Sequence, residues 1–156
     1  MLIKGACLLE ILKNAIDALT VPLTGAQPLA DEKPSLDGGR LRPCPWTPNC
    51  VCSEDAGPLH HVEPLAFSGP AERAWALLKE VIAREGGAVQ DEQPGYIWST
   101  FPIPVFGYID DVEFRLAADE GVIHVRSSAR LGFYDLNVNR TRVEQLRTAL
   151  RNSLEG

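Results

Sequence analysis

Hydrophobic and polar residues alternate most regularly in the last third of the chain. Val112, Phe114 and Leu116 alternate with charged residues, and the segment 122–131 repeats the pattern with Ile123, Val125, Ala129 and Leu131. A period of two is typical of a strand with one buried face. The segment 119–121, Asp-Glu-Gly, supplies a turn between the two runs. The pattern predicts a β-hairpin with one apolar face and one ionic face.

Two registers of this hairpin keep the apolar residues on one face and the ionic residues on the other. In the first register the cross-strand pairs are Ala117 with Val122, Arg115 with His124, Glu113 with Arg126, and Asp111 with Ser128. A shift of the turn by one pairing step instead places Glu113 against Ser128 and Asp111 against Arg130.

The ionic face has two interpretations. The simpler one is a solvated sheet surface, on which each cross-strand pair contributes roughly 0.2 to 1 kcal/mol. The alternative is a satisfied internal network or an anion-binding surface, where Arg126 and Arg130 could hold a carboxylate or phosphate if the neighbouring acids do not neutralise them. The candidate residues for a ligand site or a structural polar network are Asp110, Asp111, Glu113, Arg115, His124, Arg126, Ser128, Arg130, Asn139 and Arg140.

The remaining elements follow from periodicity and from Gly and Pro positions. We expect a short strand at 62–67, and then a helix capped by Ser68 or Gly69, with Trp75 and Leu78 in the core, that ends at Gly86-Gly87. Strands at 88–90 and 96–101 flank a turn at 93–95, and the apolar segment 102–107 forms an edge, a bulge or a loop. A last helix begins near Thr141, where Thr-Arg-Val-Glu matches a capping box.

This order, a strand, a helix, four strands and a helix, predicts an α+β fold with an antiparallel sheet covered on one face by both helices. The layout resembles TATA-box-binding-protein-like or helix-grip domains. The chain divides into an N-terminal amphipathic helix at 1–20, a Pro- and Gly-rich linker or arm at 21–43, and a single α+β domain at 44–154. The ionic face is then either open or covered by the arm.

The N-terminal segment has apolar residues at helical spacing but is interrupted by charges. Its uncharged runs are too short for a secretory signal or a membrane span. An amphipathic helix of this kind packs on its own domain, on a second copy or on a membrane surface. We therefore expect a homodimer through residues 1–19, no transmembrane segment, and a cytoplasmic location that includes peripheral attachment to a membrane.

The overall charge limits the partners. The chain has 156 residues and a formal net charge of −6, with 45% hydrophobic residues. Such a length and composition suit one globular domain. An acidic surface repels phosphate backbones, so we expect no nucleic acid partner.

Three of the four cysteines lie close together, at Cys44, Cys50 and Cys52. Their spacing differs from that of zinc ribbons and fingers, although His60 and His61 follow closely, and we expect no metal. A Cys44–Cys50 disulfide is the candidate pairing in an oxidising compartment, and free thiols in a tight loop are the alternative.

Three motifs in a fixed order resemble the family of domains of unknown function numbered 1499, over about residues 42–150. The motifs are Cys44-Pro45-x-x-Pro48-Asn49-Cys50-Val51-x-Ser53, Asp110-Asp111-Val112-Glu113-Phe114-Arg115, and Val125-Arg126-Ser127-x-x-Arg130 followed by Asn139-Arg140-x-Arg142-Val143. Cys52 stands where the family pattern usually has Ser. The resemblance implies that these motifs matter, and it implies no activity.

Three functions remain. The favoured hypothesis is a non-catalytic binding module for a small anionic or amphipathic ligand, without a cofactor, on the sheet face or in the cleft beside 102–107. The alternative is a structural or protein-interaction domain. A hydrolase that uses His124 as base, oriented by Asp111 or Glu113, is the third, and no nucleophile or metal set accompanies those residues.

Overall fold

The computed structural model describes residues 33–103 and 107–156, which form one sheet and two helices. The strands are β1 (Cys50–Cys52), β2 (Leu65–Ala66), β3 (Ala88–Gln93), β4 (Tyr96–Ile103), β5 (Tyr108–Ala117) and β6 (Val122–Ala129). Helix α1 (Ala71–Arg84) lies between β2 and β3, and helix α2 (Val138–Glu155) follows β6. The predicted α+β class is confirmed, and β1 is an additional strand inside the cysteine loop. The predicted helix at 1–20 lies outside the described residues.

The sheet is antiparallel in the order β1-β6-β5-β4-β3, and β2 also pairs with β6. The first predicted register of the β5–β6 hairpin is confirmed, because Glu113 faces Arg126 and Asp111 faces Ser128. The shifted register is wrong. The amide of Glu120 donates to the carbonyl of Ala117, which closes the turn directly after β5 and fixes the pairing.

The core lies between one sheet face and both helices. Its buried members are Ile97, Val112, Phe114, Ile123 and Val125 from the sheet, with Leu78, Val81, Ile82, Val143, Leu146 and Leu150 from the helices. These are the apolar positions of the hairpin and of the predicted helical stripes, as expected from their periods of two and 3.6. Trp75, expected in the core, is only half-buried at its edge.

The glycines after α1 are required by packing as well as by the backbone. Gly86 has a φ of 89°, which suits a helix C-terminus. A Cβ atom on Gly87 would lie 2.4 Å from the ring of Phe101 on β4. The helix therefore ends where the chain must pass directly over an aromatic ring of the sheet.

Both helices begin at positions that differ from the prediction. Helix α1 has Pro70 at its N-cap instead of Ser68 or Gly69. Helix α2 begins at Val138, so the capping box predicted at Thr141 is wrong. The carboxylate of Asp135 accepts hydrogen bonds from the amides of Asn137 (3.1 Å) and Asn139 (2.9 Å), which satisfies free amides at the start of the helix.

The other end of the sheet differs in extent from the prediction. The strand expected at 62–67 is reduced to Leu65–Ala66, and the strand expected at 88–90 extends to Gln93. Pro102 belongs to β4, opposite Ile109 of β5. The pairing of β3 with β4 ends at Thr100, so Pro102 has no donor to supply on that side.

The face opposite the helices is covered by the arm, defined here as residues 33–46. Leu41 packs with Cys52 and Tyr96 in a second, smaller apolar cluster. The amide of Leu41 donates to Glu54 (2.7 Å) and the amide of Cys44 donates to Asp55 (2.9 Å). The interpretation of the ionic face as a solvated surface is therefore wrong, because the arm buries it.

A disulfide between Cys44 and Cys50 ties the end of the arm to β1. We expect the double substitution Cys44→Ser with Cys50→Ser to lower the free energy of unfolding by about 2 kcal/mol, since a short loop restricts the unfolded chain only modestly. Urea denaturation with and without a reductant measures this.

The matched control is the double variant itself, whose midpoint should not respond to the reductant. Equal midpoints for oxidised wild type and double variant would contradict the prediction.

Candidate functional site

The centre of the arm-covered face is a buried carboxylate. Glu113 on β5 is fully buried, with 0% of its surface exposed. Its Oε1 accepts from the hydroxyl of Tyr96 (2.8 Å), and its Oε2 accepts from Nη1 of Arg126 (2.9 Å). Burial and the neighbouring Glu113 charge raise the pKa of Tyr96, so its hydroxyl remains a donor. The three side chains form one closed unit across β4, β5 and β6.

A second ion pair continues the same face toward the end of the sheet. Arg130 donates to both carboxylate oxygens of Asp111, each at 2.9 Å, in the two-pronged geometry that guanidinium groups favour. The indole of Trp98 donates to Asp111 as well (2.8 Å). Both arginines that could have held an external anion are thus neutralised within the protein.

Glu54, in the loop after β1, connects this face to the arm. It accepts from Arg115 on β5 (2.8 Å), from Arg40 on the arm (3.1 Å) and from the amide of Leu41. Burial raises the pKa of the Glu54 carboxyl, but the hydrogen bonds from Arg115 and Leu41 outweigh it and hold the pKa below its ordinary value. Sequence reasoning missed Glu54, which carries no periodic signal because it lies in a loop.

His124 does not contact either carboxylate that was expected to orient it. Its Nδ1 lies 3.1 Å from the hydroxyl of Ser53, and its Nε2 lies 3.8 Å from Glu120. The hydroxyl of Ser53 also accepts from the amide of Val125 (2.9 Å), and the donor in its contact with His124 depends on the tautomer of the ring. The predicted His124 pairing with Asp111 or Glu113 is therefore wrong.

The Ser53–His124 pair lacks the setting of a nucleophile. Ser53 is buried, and its oxygen is already an acceptor for a β6 amide. Burial lowers the pKa of His124 below its ordinary value of 6.5. Neither residue lines any of three cavities that open among the described residues. The pair joins the loop after β1 to β6, as a structural contact does.

A separate polar network lies on the opposite, helix-facing side of the sheet. Asp110 is an ion-pair partner of Arg142 from α2 at 2.8 Å. Arg142 also donates to Asn139 (2.9 Å), which accepts from the hydroxyl of Ser127. Burial raises the pKa of the Asp110 carboxyl, and Arg142 offsets only part of that effect. The predicted site residues Asp110 and Asn139 thus lie on the other face from Asp111 and Glu113.

The remaining predicted residues have local roles. Ser128 is buried beside β1 and faces Cys50. Arg140 donates to the carbonyls of His61 (2.8 Å) and Leu59 (3.0 Å), and Arg147 donates to the carbonyls of Glu63 and Pro64. These α2 arginines hold the 59–64 segment against the helix, and Arg147 also pairs with Glu144 one turn before it.

Sequence reasoning also missed Arg142 and Asp135 as site residues. Asn139 and Arg142 are three positions apart, which places them on one helix face. Two polar residues on a face next to the core residue Val143 were the available signal for a buried polar contact. Asp135 precedes the helix, where an acidic side chain commonly caps free amides. Neither signal predicts the partner on β5, because that pairing depends on the tertiary fold.

An apolar cavity of about 320 Å³ opens at the end of the sheet, beside the helix-facing network. Its walls come from β4, β5, β6 and the loop before α2: Ile103, Tyr108, Ala129, Leu131, Phe133, Tyr134, Leu136 and Val138. Asp110 and Asp135 supply its acidic groups. It lies in the size range of small-ligand pockets.

The cysteine loop offers little for metal binding or nucleophilic chemistry. Cys44 and Cys50 are joined to each other, which removes two thiols from any zinc site. The remaining thiol of the loop, on Cys52, is buried, and burial raises its pKa to about 11, so it is a poor nucleophile and a poor metal ligand at neutral pH. Nδ1 of His60 and Nδ1 of His61 each contact a backbone carbonyl.

The fold and the site define a small α+β domain with a buried ionic network on each face of its sheet and an apolar cavity at one end. A family model described as a protein of unknown function, DUF1499, matches residues 40–150, and the chain belongs to this family. No curated protein matches the chain. Neither helix in the described part of the chain is long and apolar enough to cross a membrane.

Truncation of Arg126 tests the arm-covered network. We expect Arg126→Ala to lower the free energy of unfolding by about 3 to 5 kcal/mol, because it leaves the Glu113 carboxylate buried without its partner. Chemical denaturation measures the loss. The control is Lys79→Ala, which breaks an exposed pair with Glu92 and should cost less than about 1 kcal/mol. Similar small losses for both variants would contradict a buried network.

The lowered pKa of His124 predicts a pH effect on stability. The unfolded chain binds a proton at this group more readily than the folded one, so stability should be complete above pH 6.5 and fall as the pH drops below it. Thermal melting between pH 8 and pH 5 measures this.

His124→Gln should lose this fall in stability below pH 6.5. His61→Gln should keep it, because the His61 side chain is 39% exposed. The prediction fails if His124→Gln retains the wild-type dependence.

Proposed function

We propose that this domain is a non-catalytic binding module that holds a small amphipathic ligand in the cavity at the end of the sheet. The observation that carries the proposal is the composition of the cavity: apolar and aromatic walls with a few polar groups, which is the usual make-up of small-molecule sites. The apolar part of the ligand would contact Leu131, Phe133 and Tyr134.

The charge of the cavity selects against anions. Asp110 and Asp135 both line it, and the guanidinium next to them, on Arg142, is engaged by Asp110 and Asn139. A ligand carboxylate or phosphate would lie beside two acidic side chains, whereas a neutral or cationic donor could hydrogen-bond to them. The ligand is therefore a neutral or cationic amphipath.

The arm-covered sheet face is a weaker candidate for the ligand-binding surface than the sequence indicated. An anion there would compete with Glu113 for Arg126 and with Asp111 for Arg130, and it would have to displace the arm. The pairing of both arginines with acids of the protein favours the second candidate function, a structural or protein-interaction domain without a ligand, although Nε of Arg126 is buried without a hydrogen-bond partner. A hydrolase is disfavoured by the contacts of His124.

The disulfide bears on location. Disulfides persist in oxidising compartments and are rare in the cytosol. The Cys44–Cys50 bond therefore favours an oxidising compartment over the cytoplasm that the sequence suggested. A homodimer through residues 1–19 stays a prediction.

Paired fluorescent probes test the ligand class. We expect a neutral alkylated naphthalene dye to bind wild type saturably at one site, and its sulfonated analogue to bind at least about tenfold more weakly because of the acidic groups. Leu131→Trp, which narrows the cavity, should lower the affinity for the neutral dye by about tenfold or more.

The matched control is Val89→Trp, because Val89 is also exposed but lies on β3 at the other edge of the sheet. No saturable binding to wild type would support the structural candidate. Equal binding to wild type and Leu131→Trp, with both variants melting as wild type does, would remove the cavity as the site.

A further inference from the structure

Exposed hydrophobic side chains are concentrated around the mouth of the cavity. We define the apolar rim as Trp46, Leu131, Phe133, Tyr134 and Leu136. Trp46 is 63% exposed and Leu136 is 74% exposed, and Leu131 and Tyr134 are also exposed. The ring of Trp46 lies 5.4 Å from that of Phe133, which brings the arm into the same surface as the loop before α2.

The loop that presents Leu136 is held in an unusual shape. Leu136 and Asn137 have φ values of 54° and 62°, in the left-handed region that residues other than Gly seldom adopt. The carboxylate of Asp135 maintains this shape through three hydrogen bonds to Asn137 and Asn139. The fold thus keeps a large apolar side chain in solvent on strained backbone, a combination that is unfavourable unless the side chain contacts something.

The charged groups beside the rim are engaged within the protein. Asp110 pairs with Arg142, Asp111 pairs with Arg130, and Arg140 is bound to backbone carbonyls. Asp135 is occupied by the amides of the loop. An anionic partner would meet Asp110 and Asp135 and would find the neighbouring arginines already paired, so the rim favours an occupant without net negative charge.

The size and composition of the rim identify that occupant. A stable protein interface uses about 20 to 30 residues on each side, far more than five. Trp and Tyr beside Leu are typical of surfaces that enter the boundary between lipid headgroups and acyl chains. The net charge of −6 would repel an anionic membrane. Of these possible occupants, a zwitterionic bilayer is the one that fits both the size and the charge of this surface.

We infer that the apolar rim docks this domain shallowly onto a zwitterionic lipid bilayer. Leu131, Tyr134 and Leu136 enter the interface, and Trp46 anchors the edge of the contact at headgroup level. The mouth of the cavity then faces the bilayer. The inference goes beyond the proposed ligand function and does not depend on it, since docking requires only the rim.

Flotation of the full chain with phosphatidylcholine vesicles tests the docking. We expect wild type to float with these vesicles, and Leu136→Gln to bind them about tenfold more weakly because one large apolar side chain is lost from the contact. Vesicles with added anionic lipid should bind wild type less strongly. Val89→Gln, which alters an exposed apolar residue at the opposite sheet edge, should bind as wild type does.

Three results would overturn the inference. The first is wild type that does not float with phosphatidylcholine vesicles. The second is flotation that Leu136→Gln leaves unchanged, which would assign binding to another part of the chain. The third is a wild-type dimer in light scattering that Leu136→Gln converts to monomer, which would make the rim an interface between copies. The assay contains no dye, so its outcome is independent of the cavity probe.

Discussion

The structure depends on the burial of the Glu113 carboxylate in the middle of the sheet. A charge in that position is tolerable only if it is paired and hydrogen-bonded, and Arg126 and Tyr96 meet both conditions. Water must also be excluded from this ion pair, so another part of the chain has to pack over the sheet face away from the helices. The arm provides it, with Leu41 packed on Tyr96 and Cys52. The disulfide and the Glu54 carboxylate then fix the cover in place.

This constraint separates the two faces of the sheet by role. On the arm side, Asp111 and Glu113 are each paired with an arginine, and Leu41 of the arm packs beside them on Tyr96. On the helix side, the apolar core is interrupted near the start of β5, where Asp110 meets Arg142. The cavity opens beside that interruption, bordered by the loop whose shape Asp135 determines. The arm-side ion pairs and the cavity therefore lie in different parts of a small domain.

The hairpin was the most predictable part of the fold because its signal is local. Strict alternation around one turn defines both faces, and the first register follows from closing the turn next to Ala117. Strand β1 was not predictable, since its three residues become a strand only by pairing with β6. The early start of α2 was missed for a similar reason: the capping group is Asp135, which acts from a loop of left-handed residues.

The candidate site was predictable as a set of residues and not as a geometry. Alternation along the strand places Asp111 and Glu113 on one face. Whether that face is exposed to solvent depends on an arm some seventy residues earlier in the chain. Asp110 was grouped with them as a neighbour in sequence and Asn139 as a member of the third motif, although the strand turns Asp110 to the other side. The cavity has no sequence signature, because its walls come from three strands and a loop.

A double-mutant cycle on Glu113 and Arg126, with Glu113→Gln and Arg126→Met made singly and together, measures how far each buried charge depends on the other. Removal of both charges leaves neither buried without a partner. We expect the double variant to lose less stability than the sum of the two single losses, with a coupling of about 1 to 3 kcal/mol. Additive losses, within about 0.5 kcal/mol, would show that the two side chains do not depend on each other and that the structure does not rest on their pairing.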